Sequence, residues 1–226
     1  MRVIAYSDTV LVPLSLFVMV GYHAFLWHHI KHRPSTTTIG HDSQKRKAWF
    51  LAIKEGDDKA SMLAIQSTRN TLMVTILTAT VAVLINLALA ALTNNAYSAD
   101  HLFSSAFFGS KSPKIFALKY GSASFFSSFS FLCSSMAVGY LIDVNFLINA
   151  ANSDGMFSTS PYTLAVYERG FLLALFGNRL LCVTFPLLLW MFGPVPVALS
   201  SGALVWGLYE LDFAGRSLHH TGKTRA

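Results

Sequence analysis

Long uncharged runs separated by short charged segments organise the chain, and the runs exceed the length of ordinary core helices. A run of about 18 apolar residues or more reads as a spanning helix, because a hydrocarbon layer near 30 Å thick takes about 20 residues at 1.5 Å each. Five such spans are predicted, at about 9–27, 67–92, 115–149, 171–192 and 195–213. Pro13 falls near the start of the first, where proline is tolerated. That first run has a weak positive flank before it, no small-x-small cleavage site and a basic flank after it, so it reads as a retained signal anchor. Gly193-Pro194-Val195-Pro196 suits a tight turn between the last two helices. The expected fold is all-α: one integral membrane helix bundle over residues 1–226, with about five transmembrane helices.

Composition supports this class, since 53% of residues are hydrophobic and only 12% charged, against about 25% charged in a soluble domain. Orientation follows from the basic residues. Lys31, Arg33, Lys45, Arg46, Lys47, Lys54, Lys59, Arg169, Arg216, Lys223 and Arg225 fall in the first loop, the third loop and the tail, against Arg2, Lys111, Lys114 and Lys119 on the other side. The positive-inside rule then puts the N-terminus outside and the C-terminus in the cytoplasm. The net charge of +6 is explained the same way, by basic residues flanking spans and meeting anionic lipid. Membrane lipids and a homo-oligomer are the expected partners; nucleic acid is not.

Residues 28–66 form the cytoplasmic basic loop. Its first half, His28 to Asp42, reads as an extended linker around Pro34. Its second half predicts an in-plane amphipathic helix at about 44–54, with Lys45, Arg46 and Lys47 beside Trp49, Phe50 and Ile53. Gly56 ends that helix, and Asp57 or Asp58 can cap the next. The third span is rich in small and hydroxylated residues, which allow close helix approach and interhelical hydrogen bonds. Packing at the centre of the bundle or of an oligomer is the leading reading, and a polar path lined by the same serines is its rival.

Ionisable residues inside spans are costly and so are candidate functional residues. Asp143 shares a helical stripe with Ser124, Ser128, Ser135 and Gly139, a face expected to look inward. Asp143 lies roughly 9 Å from the end of its helix and Arg179 roughly 12 Å beyond Phe171, so the two are expected to pair, directly or through Asn145 or Asn178. With Arg69, Asn70 and Glu210 they make a candidate intramembrane polar network, and Glu168, Arg169 and Asp212 lie toward the same side. The competing account is that helix ends carry charges and arginine snorkels to the headgroups.

His28, His29 and His32 form a His-His-x-x-His string in which two histidines lie one turn apart. No second histidine box accompanies it, so a metal-dependent membrane enzyme is the third and weakest reading, and no metal or cofactor is expected. Cys133 and Cys182 fall mid-span and read as small packing residues. Walker loops, dinucleotide fingerprints, nucleophile elbows and His-Glu-x-x-His motifs are absent from the sequence.

Several strings carry a resemblance: Val12-Pro13-Leu14 through Gly21-Tyr22-His23 with Leu26-Trp27-His28, Ile65-Gln66 with Thr68-Arg69-Asn70-Thr71, and Val144-Asn145-Phe146-Leu147-Ile148-Asn149. So do Gly177-Asn178-Arg179-Leu180 followed by Pro186 to Trp190 and Phe192-Gly193-Pro194, and Leu208-Tyr209 with Leu211-Asp212-Phe213. Over roughly Val10 to Phe213 the chain resembles the plant membrane family catalogued as domain of unknown function 599, departing from it at Ser98 to Pro113, at Asn152 to Tyr162 and in the tail. The resemblance implies a multi-pass plant membrane protein and supplies no activity, cofactor or catalytic residue. Function therefore rests on two hypotheses: an oligomeric channel- or transporter-like bundle for an ion or small solute, or a membrane-anchored interaction protein presenting its basic loop.

Overall fold

The computed structural model describes residues 2–52, 58–96, 113–154 and 161–214. Its helices are α1 (Arg2–His32), α2 (Thr38–Ala52), α3 (Asp58–Ala96), α4 (Pro113–Asp154), α5 (Pro161–Leu189) and α6 (Pro194–Asp212), with 3₁₀ turns at Pro34–Thr36 and Trp190–Phe192. Four segments are long and apolar enough to cross a membrane: Val10–His32, Lys59–Asn94, Ile115–Asn149 and Pro161–Phe192. α6 falls short of that composition because Glu210, Asp212 and its prolines and serines dilute a 19-residue apolar run.

The loop before α2 differs from the expected extended linker. α1 continues to His32, Pro34 opens a single 3₁₀ turn, and α2 begins at Thr38 rather than near residue 44. The Thr37 hydroxyl accepts the Gly40 amide at 3.2 Å, so a threonine cap starts the helix early. The caps expected from Gly56 and Asp57, and Ile53 of the amphipathic helix, lie outside the described residues. α5 also starts a decade of residues before its apolar run, at Pro161, where proline suits a helix's first turn.

Threonines persist within α3 because their hydroxyls bond back to its own carbonyls. Thr75 donates to Thr71 O at 2.8 Å and Thr78 to Val74 O at 3.0 Å, so no donor is left unsatisfied in lipid.

The described chain divides into two units, one of which joins residues 2–47, 113–116 and 186–214, and the other residues 48–52, 58–96, 117–154 and 161–185. In the first unit α1 packs on α6 through Tyr22, Leu26, Leu208 and Phe213, with Ile30, Ile39, Leu204 and Val205 around them. Tyr22 donates its hydroxyl to the buried Asp212 carboxylate at 2.5 Å. Thr38 donates to Leu211 O at 2.9 Å, which fixes the start of α2 against the end of α6. Gly193, at φ 127°, supplies the left-handed turn before α6 that residues with a Cβ resist.

In the second unit Phe50, Ala64, Val144, Ile148, Leu164, Val166 and Tyr167 form one apolar cluster. Phe50 stacks on Tyr167 with ring centroids 5.6 Å apart. The division between units falls at Pro186, a proline inside α5 that cannot donate to the carbonyl one turn back.

Candidate functional site

The polar residues of the second unit gather where α4 meets α3 and α5. Along α4 the buried positions are Lys119, Ala123, Ser127, Ser130, Ser134, Ala137, Leu141, Val144 and Ile148, a stripe at alternating three- and four-residue spacing. Ser127 donates to Ala82 O of α3 at 2.9 Å, and Ser130 donates to Gly177 O of α5 at 2.6 Å. Asn86 of α3 completes a clamp: its amide donates to Ser127 Oγ at 3.1 Å, while Ser124 donates to its carbonyl oxygen at 3.0 Å. Ser128 reaches the same oxygen at 3.4 Å.

Gly177 lets α5 approach. A Cβ there would overlap the Ser134 hydroxyl and lie 3.2 Å from Ser130 O and from Ser134 N. Small residues and short hydrogen bonds hold helices together in lipid, where no hydrophobic force drives them together. Ser124, Ser127 and Ser130 are thus committed to holding the helices. Ser134 Oγ, fully buried at Gly177, has no hydrogen-bond partner among the described residues.

These contacts correct two expectations. The stripe of Ser124, Ser128, Ser135, Gly139 and Asp143 does not look inward: Ser128, Ser135, Gly139 and Asp143 are exposed and Ser124 is half-buried. The expected pairing of Asp143 with Arg179 is not formed either. Gly170 lies against Tyr140 and Leu141, and Gly177 against Ser130 and Ser134, so α5 runs antiparallel to α4 with Asp143 near the level of Glu168 and Arg169. Arg179 then sits at the level of Ser130 to Ser134, roughly 16 Å along the helix axis from Asp143. The expectation failed because it measured depth from Phe171, whereas α5 begins at Pro161 and α4 runs on to Asp154.

The remaining candidates separate. Arg69 and Asn70 are exposed on α3, Asn178 is exposed on α5, and Arg179 is half-buried with its Nη1 enclosed. Asn145 is half-buried, and its Oδ1 has no hydrogen-bond partner among the described residues. Glu210 is exposed on α6, in the first unit. On α2, Lys45, Lys47 and Trp49 are exposed and Arg46 is half-buried, while Phe50 is 4% exposed and belongs to the apolar cluster. His28 and His32 stack with ring centroids 4.3 Å apart, but no group of three potential metal ligands occurs among the described residues. Cys133 and Cys182 are half-buried thiols that form no disulfide.

Asn86 and the Tyr22–Asp212 pair were missed by sequence reasoning. A signal existed for Asn86, since it is the lone carboxamide within the apolar body of its span. Lys119, read as an outer-loop charge, is instead 5% exposed on the packed face of α4.

Four helices of this length and composition make the chain a multi-pass membrane protein with an all-helical membrane domain. It belongs to the family described as "Protein of unknown function, DUF599", whose model matches residues 10–217. No curated protein and no solved structure matches the chain.

Proposed function

We propose that this is a non-enzymatic, membrane-anchored interaction protein that presents α2 to the anionic headgroups of the cytoplasmic leaflet. One observation carries the reading: His41, Lys45, Lys47 and Trp49 of α2 are exposed while Phe50 is buried, so the helix turns one aromatic inward and offers bases and another aromatic outward. Basic residues beside an interfacial tryptophan suit a negatively charged lipid surface. The topology that puts α2 at this leaflet has five spans, α6 being the fifth, with the N-terminus outside and the C-terminus in the cytoplasm. The distribution of lysine and arginine supports it.

Energy transfer from the tryptophans of the reconstituted protein to dansyl-phosphatidylserine and dansyl-phosphatidylcholine tests the reading. Phosphatidylserine is expected to be enriched around the protein at low salt and less so at high salt. Replacing Lys45 and Lys47 by Glu removes about 1 kcal/mol per residue, or about 30-fold in preference for the pair. Equal transfer to both lipids in the native protein overturns the reading.

A second reading has its own observation. Ser128, Ser135, Gly139 and Asp143 face outward from a spanning helix, where they would line a path for an ion or small solute between protomers of a channel- or transporter-like oligomer. Flux through proteoliposomes that is lost on Asp143→Asn supports it, and the absence of flux for a panel of ions removes it.

A further inference from the structure

Asp143, Arg69 and Arg169 are all exposed, and among the described residues none of the three makes an ion pair or hydrogen bond. Their depths nevertheless agree. Ser127 against Ala82 and Ser124 against Asn86 set α3 antiparallel to α4, which brings Arg69 within roughly 5 Å of the level of Asp143. Gly170 against Tyr140 and Leu141 brings Arg169 to the same level from α5. One acid and two arginines therefore occupy one layer of the second unit without meeting inside the chain. Glu168, half-buried and already engaged, is the other charged group at this level among the described residues of the second unit.

Copies of one chain inserted in one membrane share an orientation, so groups at equal depth on two copies can meet across a symmetric contact. We infer that a second copy of this chain docks on the outward face of α4, with Asp143 of each copy paired to Arg69 or Arg169 of the other. A lipid headgroup would satisfy the arginines and repel the acid, whereas a second copy satisfies both. The same face offers Ser135 and Gly139 four residues apart, the spacing at which small residues let two helices come close. A Cβ at Gly139 would meet nothing within 4 Å among the described residues, so this approach is open. The contact goes beyond the presentation of α2 and does not depend on it.

Co-capture of two differently tagged full-length copies, co-expressed and extracted in a mild detergent, tests the proposal. Wild-type copies are expected to capture each other. Asp143→Arg alone, and Arg69→Glu with Arg169→Glu, should each lose self-capture at least tenfold, because like charges then face each other. Co-expressing the Asp143→Arg chain with the Arg69→Glu, Arg169→Glu chain should restore capture to within twofold of wild type, since every pair across the contact is again opposite in charge. Gly139→Leu, which has room within the single chain, should abolish capture while leaving helical content and thermal midpoint unchanged, and it serves where a charge variant fails to fold. Equal capture in all combinations, absent capture between wild-type copies, or no recovery in the mixed pair overturns the proposal.

Discussion

Asn86 shows how one carboxamide can organise a helix contact in lipid. It reaches α4 through both amide and carbonyl oxygen, donating to Ser127 and accepting from Ser124, while the amide also donates to Ala82 O of its own helix. Interhelical hydrogen bonds in membranes average about 0.6 kcal/mol, so Asn86→Leu should cost about 1–2 kcal/mol, read as a lower midpoint in thermal unfolding of the purified protein. Tyr22→Phe is expected to cost more, about 1.5–3 kcal/mol, because it withdraws a donor from a buried carboxylate. Gly177→Ala should destabilise by about 1–3 kcal/mol through overpacking. Adding Ser134→Ala should recover part of that loss, since the Ser134 hydroxyl is the nearest atom to the new methyl. The composition of α4 was legible as a packing surface, but the side that packs was not. Both Ala123-Ser127-Ser130-Ser134-Ala137 and Ser124-Ser128-Ser135-Gly139 are small residues at helical spacing, and periodicity cannot choose between two faces of the same chemistry.

At the scale of elements, α2 divides its aromatics between protein and surroundings. Phe50 is buried against Tyr167 and Trp49 is 39% exposed. Phe50→Ala should therefore cost about 3–5 kcal/mol in stability, whereas Trp49→Ala should leave stability within about 1 kcal/mol of wild type and weaken only the preference for anionic lipid. Comparing the two variants in melting and in lipid energy transfer separates the roles. The basic and aromatic content of this helix was legible, and its boundary was not, because Pro34 reads as a breaker while a single 3₁₀ turn and the Thr37 cap restore a helix almost at once. The depth of Asp143 and Arg179 was misjudged for a related reason. A helix of 42 residues such as α4 outruns a hydrocarbon layer that about 20 residues span, so an apolar run marks neither where a helix begins nor how it registers with its neighbour.

Across the whole molecule, hydropathy sufficed for the class, because four helices carry runs that no soluble domain of this length would expose. Large apolar side chains on their outer faces agree, among them Phe17 at 76% exposure and Phe146 at 70%. α6 was harder to read, since its acids Glu210 and Asp212 lower its apolar character while Asp212 is buried against α1. Ser124, Ser127 and Ser130 of the second unit are taken up by hydrogen bonds between helices, which shifts attention to the outward faces of α2 and α4. The depth of Trp49 tests the central claim most directly. Taken as the difference between the wild type and Trp49→Phe in vesicles, its fluorescence should be quenched most by a nitroxide at the lipid headgroup, less by one deep in the acyl chain, and little by aqueous iodide. Strong iodide quenching with no response to either lipid probe would contradict a helix held at the membrane surface.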